Sequence, residues 1–176
     1  MKNYAAFYEK QTAFLKRLKN PAKVLSITYK VLTIAVAAIY LAGLIIAVFG
    51  VFGSPLPTLF SLLLPPAVAV IVVTLLRMAI PRKRPYEEEG GGITPLVKKE
   101  SKSNSFPSRH TACAFVIGVT LCSVALWLGL PVLALGALLA YARFLCGFHY
   151  PTDLIGGALI GASFGVAAFF LPLLFI

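Results

Sequence analysis

Three long runs without a charged side chain divide this chain, over residues 31–76, 110–142 and 154–176. A helix that crosses a membrane needs roughly 20 apolar residues. The first run therefore has room for two spans, the second for two shorter ones and the third for one. The runs lack both the strict alternation of membrane β-strands and the polar face of a soluble core helix. This pattern predicts an all-α integral membrane protein with about five transmembrane helices.

Glycine and proline mark the boundaries of these spans. Turns are predicted at 50–57, which reads GVFGSPLP, and at 128–131, which reads LGLP, and a kink is predicted at Pro65 and Pro66. The last span carries small residues at helical spacing, which predicts a face for close helix packing. These small residues are Gly156, Gly157, Gly161, Ala162 and Gly165. The predicted spans lie near residues 31–49, 58–80, 108–128, 131–147 and 151–176.

The polar remainder falls into two segments of what we expect to be a single domain over residues 1–176. Residues 1–23 are basic and carry aromatic and leucine side chains at helical spacing. They predict an amphipathic helix lying in the membrane interface, with a solvated basic tail as the alternative. Residues 81–107 form a long polar loop that contains the flexible stretch EEEGGG. The charged first 30 residues do not resemble a cleaved signal peptide.

Composition and charge agree with a membrane protein and suggest its orientation. The chain is 59% hydrophobic and only 12% charged, with a net charge of +10. In a five-span arrangement, all 16 lysines and arginines and all six acidic residues fall on one side. The positive-inside rule favours the cytoplasm for that side of a bacterial cell membrane. The lipid bilayer is the expected partner, nucleic acid is not, and the three cysteines are expected to be apolar packing residues.

Three polar clusters converge at the ends of the predicted spans on the charged side. They read RMAIPRKRP at 77–85, FPSRHT at 106–111 and ARFLCGFHYPTD at 142–153. Together they contain both histidines of the chain and its only aspartate, Asp153. Arg143 lies among apolar neighbours, and an ionisable residue in a spanning segment indicates a functional site.

The residue types in these clusters suit a phosphate group. Guanidinium groups match phosphate oxygens in bidentate geometry, and backbone N–H groups at the start of a helix also face an anion. A single carboxylate among several arginines does not suit a cation, so we expect neither a metal nor another cofactor. The candidate phosphate-binding residues are Arg77, Arg84, Ser108, Arg109 and Arg143.

The two histidines and the aspartate are the candidate catalytic residues. His149 and Asp153 are four residues apart across the predicted start of the last span. A carboxylate that accepts a bond from one imidazole nitrogen leaves the other nitrogen free to attack phosphorus. His110, from another helix, can then protonate the leaving oxygen. The pattern predicts phosphoryl transfer through a phosphohistidine.

The same residues resemble the three-part signature of the type 2 phosphatidic acid phosphatase superfamily. This signature is a Lys followed after six residues by Arg-Pro, then Pro-Ser-Gly-His, then Ser-Arg with His and Asp at fixed spacing. The resemblance covers residues 77–153. It implies that His149 is the nucleophile, that Asp153 orients it and that His110 is the general acid. It assigns the phosphate to Arg77, Arg84, Ser108 and Arg143, which agrees with the reasoning from chemistry.

Three positions depart from the signature. Arg77 stands where the family has Lys, and because the charge is kept we expect catalysis to survive. Arg109 stands where the family has Gly, and its side chain has three open interpretations: a second phosphate, a headgroup or solvent. Ala142 stands where the family has Ser and loses one hydroxyl. Many relatives have six spans, whereas five are predicted here.

The expected function is metal-independent hydrolysis of a terminal lipid phosphate or pyrophosphate. Phosphatidylglycerol phosphate, phosphatidate and undecaprenyl pyrophosphate remain open as substrates, and the oligomeric state is unknown. Transfer of the phosphoryl group to an acceptor other than water is one alternative, and a non-catalytic lipid-binding or transport protein is another. Charge count favours a cytoplasmic site, whereas many relatives of this family place the site on the outer face.

Overall fold

A computed structural model describes residues 2–88, 93–98 and 104–175, and all regular structure within them is helical. Four segments are long and apolar enough to cross a membrane, and a fifth helix is apolar but shorter. This confirms the predicted all-α membrane fold. The helices are α1 Lys2–Thr12, α2 Pro21–Val48, α3 Pro55–Ala79, α4 Arg109–Cys122, α5 Leu126–Leu145 and α6 Pro151–Val166. Short 3-10 helices lie at Leu15–Arg17, Ala167–Phe169 and Leu171–Phe175.

Helix α4, the shorter apolar helix, lies at the centre and packs against α3, α5 and α6. Its apolar side chains are enclosed: Val116 and Leu121 are both fully buried. The outer helices instead expose large apolar side chains, such as Ile34 on α2 and Leu75 on α3. An apolar exterior around a packed centre is the surface expected of helices in lipid.

The predicted small-residue face of α6 packs directly on α4. A Cβ at Gly161 would lie 2.2 Å from the carbonyl oxygen of Ala112, and one at Gly157 would lie 2.7 Å from that of Ser108. Any larger residue would separate the two backbones. This close approach brings the start of α6 against the start of α4, where the candidate catalytic residues lie.

The predicted turn at LGLP, 128–131, is wrong, because these residues lie inside α5. The chain turns at residues 123–125 instead. Gly129 is needed for packing, since a Cβ there would lie 2.5 Å from the backbone nitrogen of Cys122. The turn predicted at 50–57 also ends early, because α3 begins at Pro55. Proline suits the first turn of a helix, where its missing N–H has no partner to lose.

Helix α3 continues through Pro65 and Pro66. Pro66 cannot donate to the carbonyl of Leu62, four residues earlier. The hydroxyl of Tyr40, on α2, donates to that carbonyl at 2.9 Å. The interhelical bond therefore replaces the backbone bond that the proline removes.

The N-terminal segment packs on the protein more than the amphipathic pattern predicted. Tyr8 is buried, and its hydroxyl donates to the carbonyl of Leu145 at the end of α5 over 2.8 Å. The ring of Tyr4 lies 4.9 Å from that of Tyr150. Phe14 and Leu18 remain exposed and are available to the membrane interface. Helix α1 thus holds the turn between α5 and α6.

Candidate active site

The helices bring all eight predicted site residues to one end of the bundle. Arg77 lies in the last turn of α3, Ser108 precedes α4, and Arg143 lies in the last turn of α5. His149 lies in the turn between α5 and α6. The remaining members are Arg84 after α3, Arg109 and His110 in the first turn of α4, and Asp153 in the first turn of α6.

Local sequence explains how the turn that carries His149 is formed. Gly147 has a φ of +82°, which favours glycine, and a Cβ there would lie 3.0 Å from Pro95. Pro151 opens α6, and the carboxylate of Asp153 accepts from the backbone N–H of Tyr150 at 2.9 Å. This bond satisfies a donor that the start of the helix leaves without a helical partner. The cap and the glycine together fix the direction of the turn.

The imidazole of His149 is buried and is held by a backbone carbonyl. Its Nδ1 lies 3.0 Å from the carbonyl oxygen of Ser105. A carbonyl can only accept, so this contact requires the proton on Nδ1 and leaves Nε2 with a lone pair. Nε2 lies 3.4 Å from a terminal nitrogen of Arg143, on the side of the arginines. The unprotonated nitrogen of His149 therefore faces the guanidinium of Arg143.

Asp153 lies farther from His149 than the sequence spacing predicts. Its Oδ2 lies 3.7 Å from Nδ1 of His149, which is beyond hydrogen-bond distance. The same oxygen accepts from the hydroxyl of Ser105 at 2.5 Å, and the other oxygen accepts from Arg82 at 2.7 Å. Ser105 therefore contacts both members of the pair, through its carbonyl and through its hydroxyl.

Sequence reasoning missed Ser105 and Arg82. Arg82 lies in the cluster RMAIPRKRP, between the two arginines that the spacing selects. Besides its bond to Asp153, its guanidinium lies 4.4 Å from the centre of the Tyr150 ring. The signal in the sequence that could have pointed to Arg82 is the single aspartate. A buried carboxylate needs a cation nearby, and residues 82–84 are three cations in a row.

Two of the predicted phosphate-binding arginines donate to backbone carbonyls. Arg77 is 8% exposed and donates to the carbonyls of Asn104, Ser105 and Pro107, the last at 2.7 Å. Arg84 is 2% exposed and donates to the carbonyl of Phe148 at 3.0 Å. These bonds fix the guanidinium groups and leave their positive charge in place.

Arg143 is the arginine of the last cluster, and it is almost completely enclosed. It is 3% exposed, and its guanidinium lies 5.1 Å from the centre of the Phe148 ring and 5.6 Å from that of Tyr29. Its Nε is buried and has no hydrogen-bond partner among the described residues. A buried charged donor without a partner is costly, and an anion beside His149 would satisfy it.

The remaining predicted residues lie at the edge of this cluster. Ser108 is fully buried, and its hydroxyl accepts from that of Thr111 at 3.0 Å. Its backbone N–H donates to the carbonyl of Asp153 at 3.0 Å, so it is engaged within the protein. His110 is half-buried, and Arg109 is exposed. Both line a groove of about 320 Å³ between α2, α4 and α5.

The surroundings of His149 favour its neutral form. Burial, together with the nearby charges of Arg143 and Arg84, lowers the pKa of the imidazole from 6.5 to about 4, against the opposing effect of Asp153. A neutral ring at neutral pH is the form that can attack phosphorus. Among the described residues, no group of three or more His, Cys, Asp or Glu side chains could hold a metal ion.

The fold and site together define a multi-pass helical membrane protein with a buried cationic site at one end of its helices. The PAP2 superfamily matches residues 32–173, and the chain belongs to this family. The crystal structure of a transmembrane PAP2-type phosphatidylglycerolphosphate phosphatase from Bacillus subtilis shares the fold. It aligns with 97% of this chain and 92% of that one, with a TM-score of 0.51 and 20% identity.

Two bacterial relatives match part of the sequence. The chain is 31% identical over 96 residues to "Putative undecaprenyl-diphosphatase YbjG" of Escherichia coli strain K12, across 54% of this chain and 47% of that protein. It is 32% identical over 65 residues to undecaprenyl-diphosphatase BcrC of Bacillus subtilis strain 168, across 37% and 34%. The matches thus span less than half the length of either relative.

Proposed function

We propose that this protein is a membrane phosphatase that removes the terminal phosphate of a lipid phosphate or diphosphate through a phosphohistidine. The observation that carries the proposal is the lone pair of His149 Nε2, which lies beside the buried guanidinium of Arg143. Family membership and the relatives named as undecaprenyl-diphosphatases support the same class of substrate. The apolar exterior of the helices fits a substrate that resides in the bilayer.

The proposed reaction has two steps that use the same residues. In the first, Nε2 of His149 forms a bond to phosphorus, the bond from phosphorus to the lipid oxygen breaks, and His110 gives that oxygen a proton. In the second, water attacks the phosphohistidine, His110 accepts the proton from the water, and phosphate leaves. Arg77, Arg84 and Arg143 stabilise the charge on the transferring group throughout.

The distribution of charge supports one side of the membrane for the site. The ends of α3 and α5 and the starts of α2, α4 and α6 lie at the site end, and among the described residues the lysines and arginines belong to these helix ends and to the segments next to them. The positive-inside rule therefore favours a cytoplasmic site, which supports lipids made inside the cell as substrates. Thr94 is exposed in the loop beside the site. Thr94→Cys should resist a membrane-impermeant maleimide in intact cells and react after lysis, with the parent chain controlling for the three native cysteines. Labelling in intact cells would place the site outside.

The function is tested with the full chain purified in detergent. Phosphate release is measured on phosphatidate, phosphatidylglycerol phosphate and undecaprenyl diphosphate, for the wild type and for His149→Ala. We expect turnover of at least one lipid by the wild type and none by the variant, with equal helicity by circular dichroism. Absence of turnover on every lipid would support a non-catalytic protein instead.

The intermediate is tested with substrate that carries ³²P in its terminal phosphate. Quenching in alkali preserves a phosphohistidine, so label should remain on the wild type and be absent from His149→Ala. Label that passes to an added alcohol faster than to water would favour a phosphotransferase. Turnover by the wild type with no labelled protein at any quench time would refute the covalent intermediate.

A further inference from the structure

Arg109 stands where the polar site meets the apolar groove. It is the first residue of α4, directly before His110, and its side chain is exposed. It lines the groove of about 320 Å³ and also a second cavity of about 270 Å³ beside Arg77 and Asn104. The side chain of Arg109 therefore faces both the end of the proposed phosphate site and the opening of the groove.

Within the described residues, Arg109 forms neither an ion pair nor a side-chain hydrogen bond. Arg77 and Arg82 of the same site are each held by several bonds to protein atoms. The charge of Arg109 nevertheless reaches the site, since it adds to the effect of burial in lowering the pKa of Arg84. Arg109 thus shares a cavity with Arg77 and, within the described part of the chain, is not committed to a partner, so it is available to an anion bound there.

The groove indicates which part of a substrate lies next to Arg109. Its walls are apolar and include Val36, Ile117 and Leu139, while Arg109 and His110 stand at its polar end. A lipid chain lying in the groove would emerge beside the proposed general acid. The group that joins the chain to the transferring phosphate would then lie beside Arg109.

From this arrangement we propose that Arg109 binds the inner, lipid-side phosphate of a diphosphate, so that the site favours lipid diphosphates over lipid monophosphates. This inference rests on the function proposed above. In a diphosphate, His149 attacks the outer phosphorus, the bond from that phosphorus to the bridging oxygen breaks, and negative charge develops on that oxygen as the lipid monophosphate leaves. His110 protonates the oxygen while Arg109 holds the phosphate. When the substrate is a lipid monophosphate, the leaving group is the lipid alcohol, which places no anion at Arg109.

The test compares farnesyl diphosphate with farnesyl phosphate, because the two share one chain and differ only in the inner phosphate. We expect Arg109→Gln to lower kcat/KM for the diphosphate by about 10- to 100-fold, the effect of a lost charge-assisted hydrogen bond. The loss on the monophosphate should be about threefold or less. Arg109→Lys should recover part of the diphosphate activity, because it keeps the charge without the bidentate fork.

Arg17→Gln is the matched control, since it removes an exposed arginine from the same side of the bundle, on the 3-10 helix Leu15–Arg17. It should leave the ratio of the two kcat/KM values unchanged. If Arg109→Gln changes kcat/KM by the same factor on both substrates, so that their ratio stays unchanged, the inference is overturned. If that variant does not fold, the ratio measured for Arg109→Lys decides, and an unchanged ratio again overturns it. A wild type that hydrolyses neither substrate would instead refute the proposed function.

Discussion

Replacing Asp153 by Asn tests how the carboxylate acts on His149. The side chain is fully buried and changes by one atom, from oxygen to an amide nitrogen. The substitution removes the negative charge 3.7 Å from Nδ1 of His149 and 2.7 Å from Arg82. Either amide orientation also points the new NH₂ group at a donor, because Arg82 donates to one oxygen and Ser105 and Tyr150 donate to the other.

The size of the effect follows from the charge that develops on the ring. In the proposed reaction the imidazole of His149 becomes cationic when it takes up the phosphoryl group. A carboxylate 3.7 Å away stabilises it by about 4 kcal/mol at an effective dielectric constant of 20. That energy corresponds to at most about 10³-fold in rate. The loss should remain below the roughly 10⁴-fold seen when a catalytic histidine adopts the wrong tautomer, because the carbonyl of Ser105 still holds the proton on Nδ1.

Steady-state kinetics on the best lipid substrate separate this effect from binding. We expect Asp153→Asn to lower kcat by about 10²- to 10³-fold and to change KM by only a few-fold, because the phosphate-binding arginines remain. Thr152→Val is the control, since its hydroxyl accepts from the same Arg82 at 2.9 Å. It should alter kcat by about threefold or less. A kcat for Asp153→Asn within a few-fold of wild type, in a protein that unfolds at the same temperature, would refute the electrostatic role.

Three further predictions concern stability and ionisation. Tyr8→Phe removes the hydroxyl that donates to Leu145, so the free energy of unfolding should fall by about 1 kcal/mol, read as a lower midpoint in thermal unfolding; an unchanged midpoint would contradict this. Gly161→Leu places a side chain where a Cβ already lies 2.2 Å from the carbonyl of Ala112, so it should cost about 2 kcal/mol or more and abolish turnover, whereas wild-type activity would contradict the close packing. Because the folded pKa of His149 is about 4 and the unfolded value is 6.5, the unfolded state binds more protons between these values, and stability should fall as pH drops from 6.5 towards 4. In NMR of the protein with ¹³C-labelled histidine, the His149 signal is the one that His149→Gln lacks. At pH 5.5 this signal should still be that of a neutral ring, and a titration midpoint near 6.5 would contradict the burial argument.

The fold was predictable because the membrane imposes its constraint on composition directly. Uncharged runs of the required length predicted the apolar helices, although α2 begins at Pro21, before the first run, and α4 is shorter than the span predicted at 108–128. Small residues at helical spacing predicted the face of α6 that meets α4. The turn at 128–131 was mispredicted because glycine has two uses that sequence does not separate. At Gly129 it allows two helix backbones to approach, whereas at Gly147 it provides a positive φ.

The members of the candidate site could be predicted, but not the contacts between them. Spacing placed His149 and Asp153 one helical turn apart, which suggested a direct bond. In the structure Ser105 contacts both residues, and its position depends on the path of the loop from α3 to α4. No local pattern marks such a residue, since its role comes from contacts with residues more than 40 positions away. The packing of Tyr8 on α5 is likewise a tertiary contact that an amphipathic pattern cannot distinguish from lipid contact.

The division of charge within the site explains why the missed Arg82 matters. Burying an aspartate and several arginines together would ordinarily pair them and cancel their charges. Here Asp153 is paired with Arg82, whose side chain is 36% exposed, at the edge of the site. The deeper Arg77 is held by backbone carbonyls, and Arg143 by aromatic rings and a neutral imidazole. Dipoles and rings fix these two guanidinium groups without neutralising them, so the site keeps an uncompensated positive charge next to the proposed nucleophile. A dianionic phosphate is the ligand that such a charge selects.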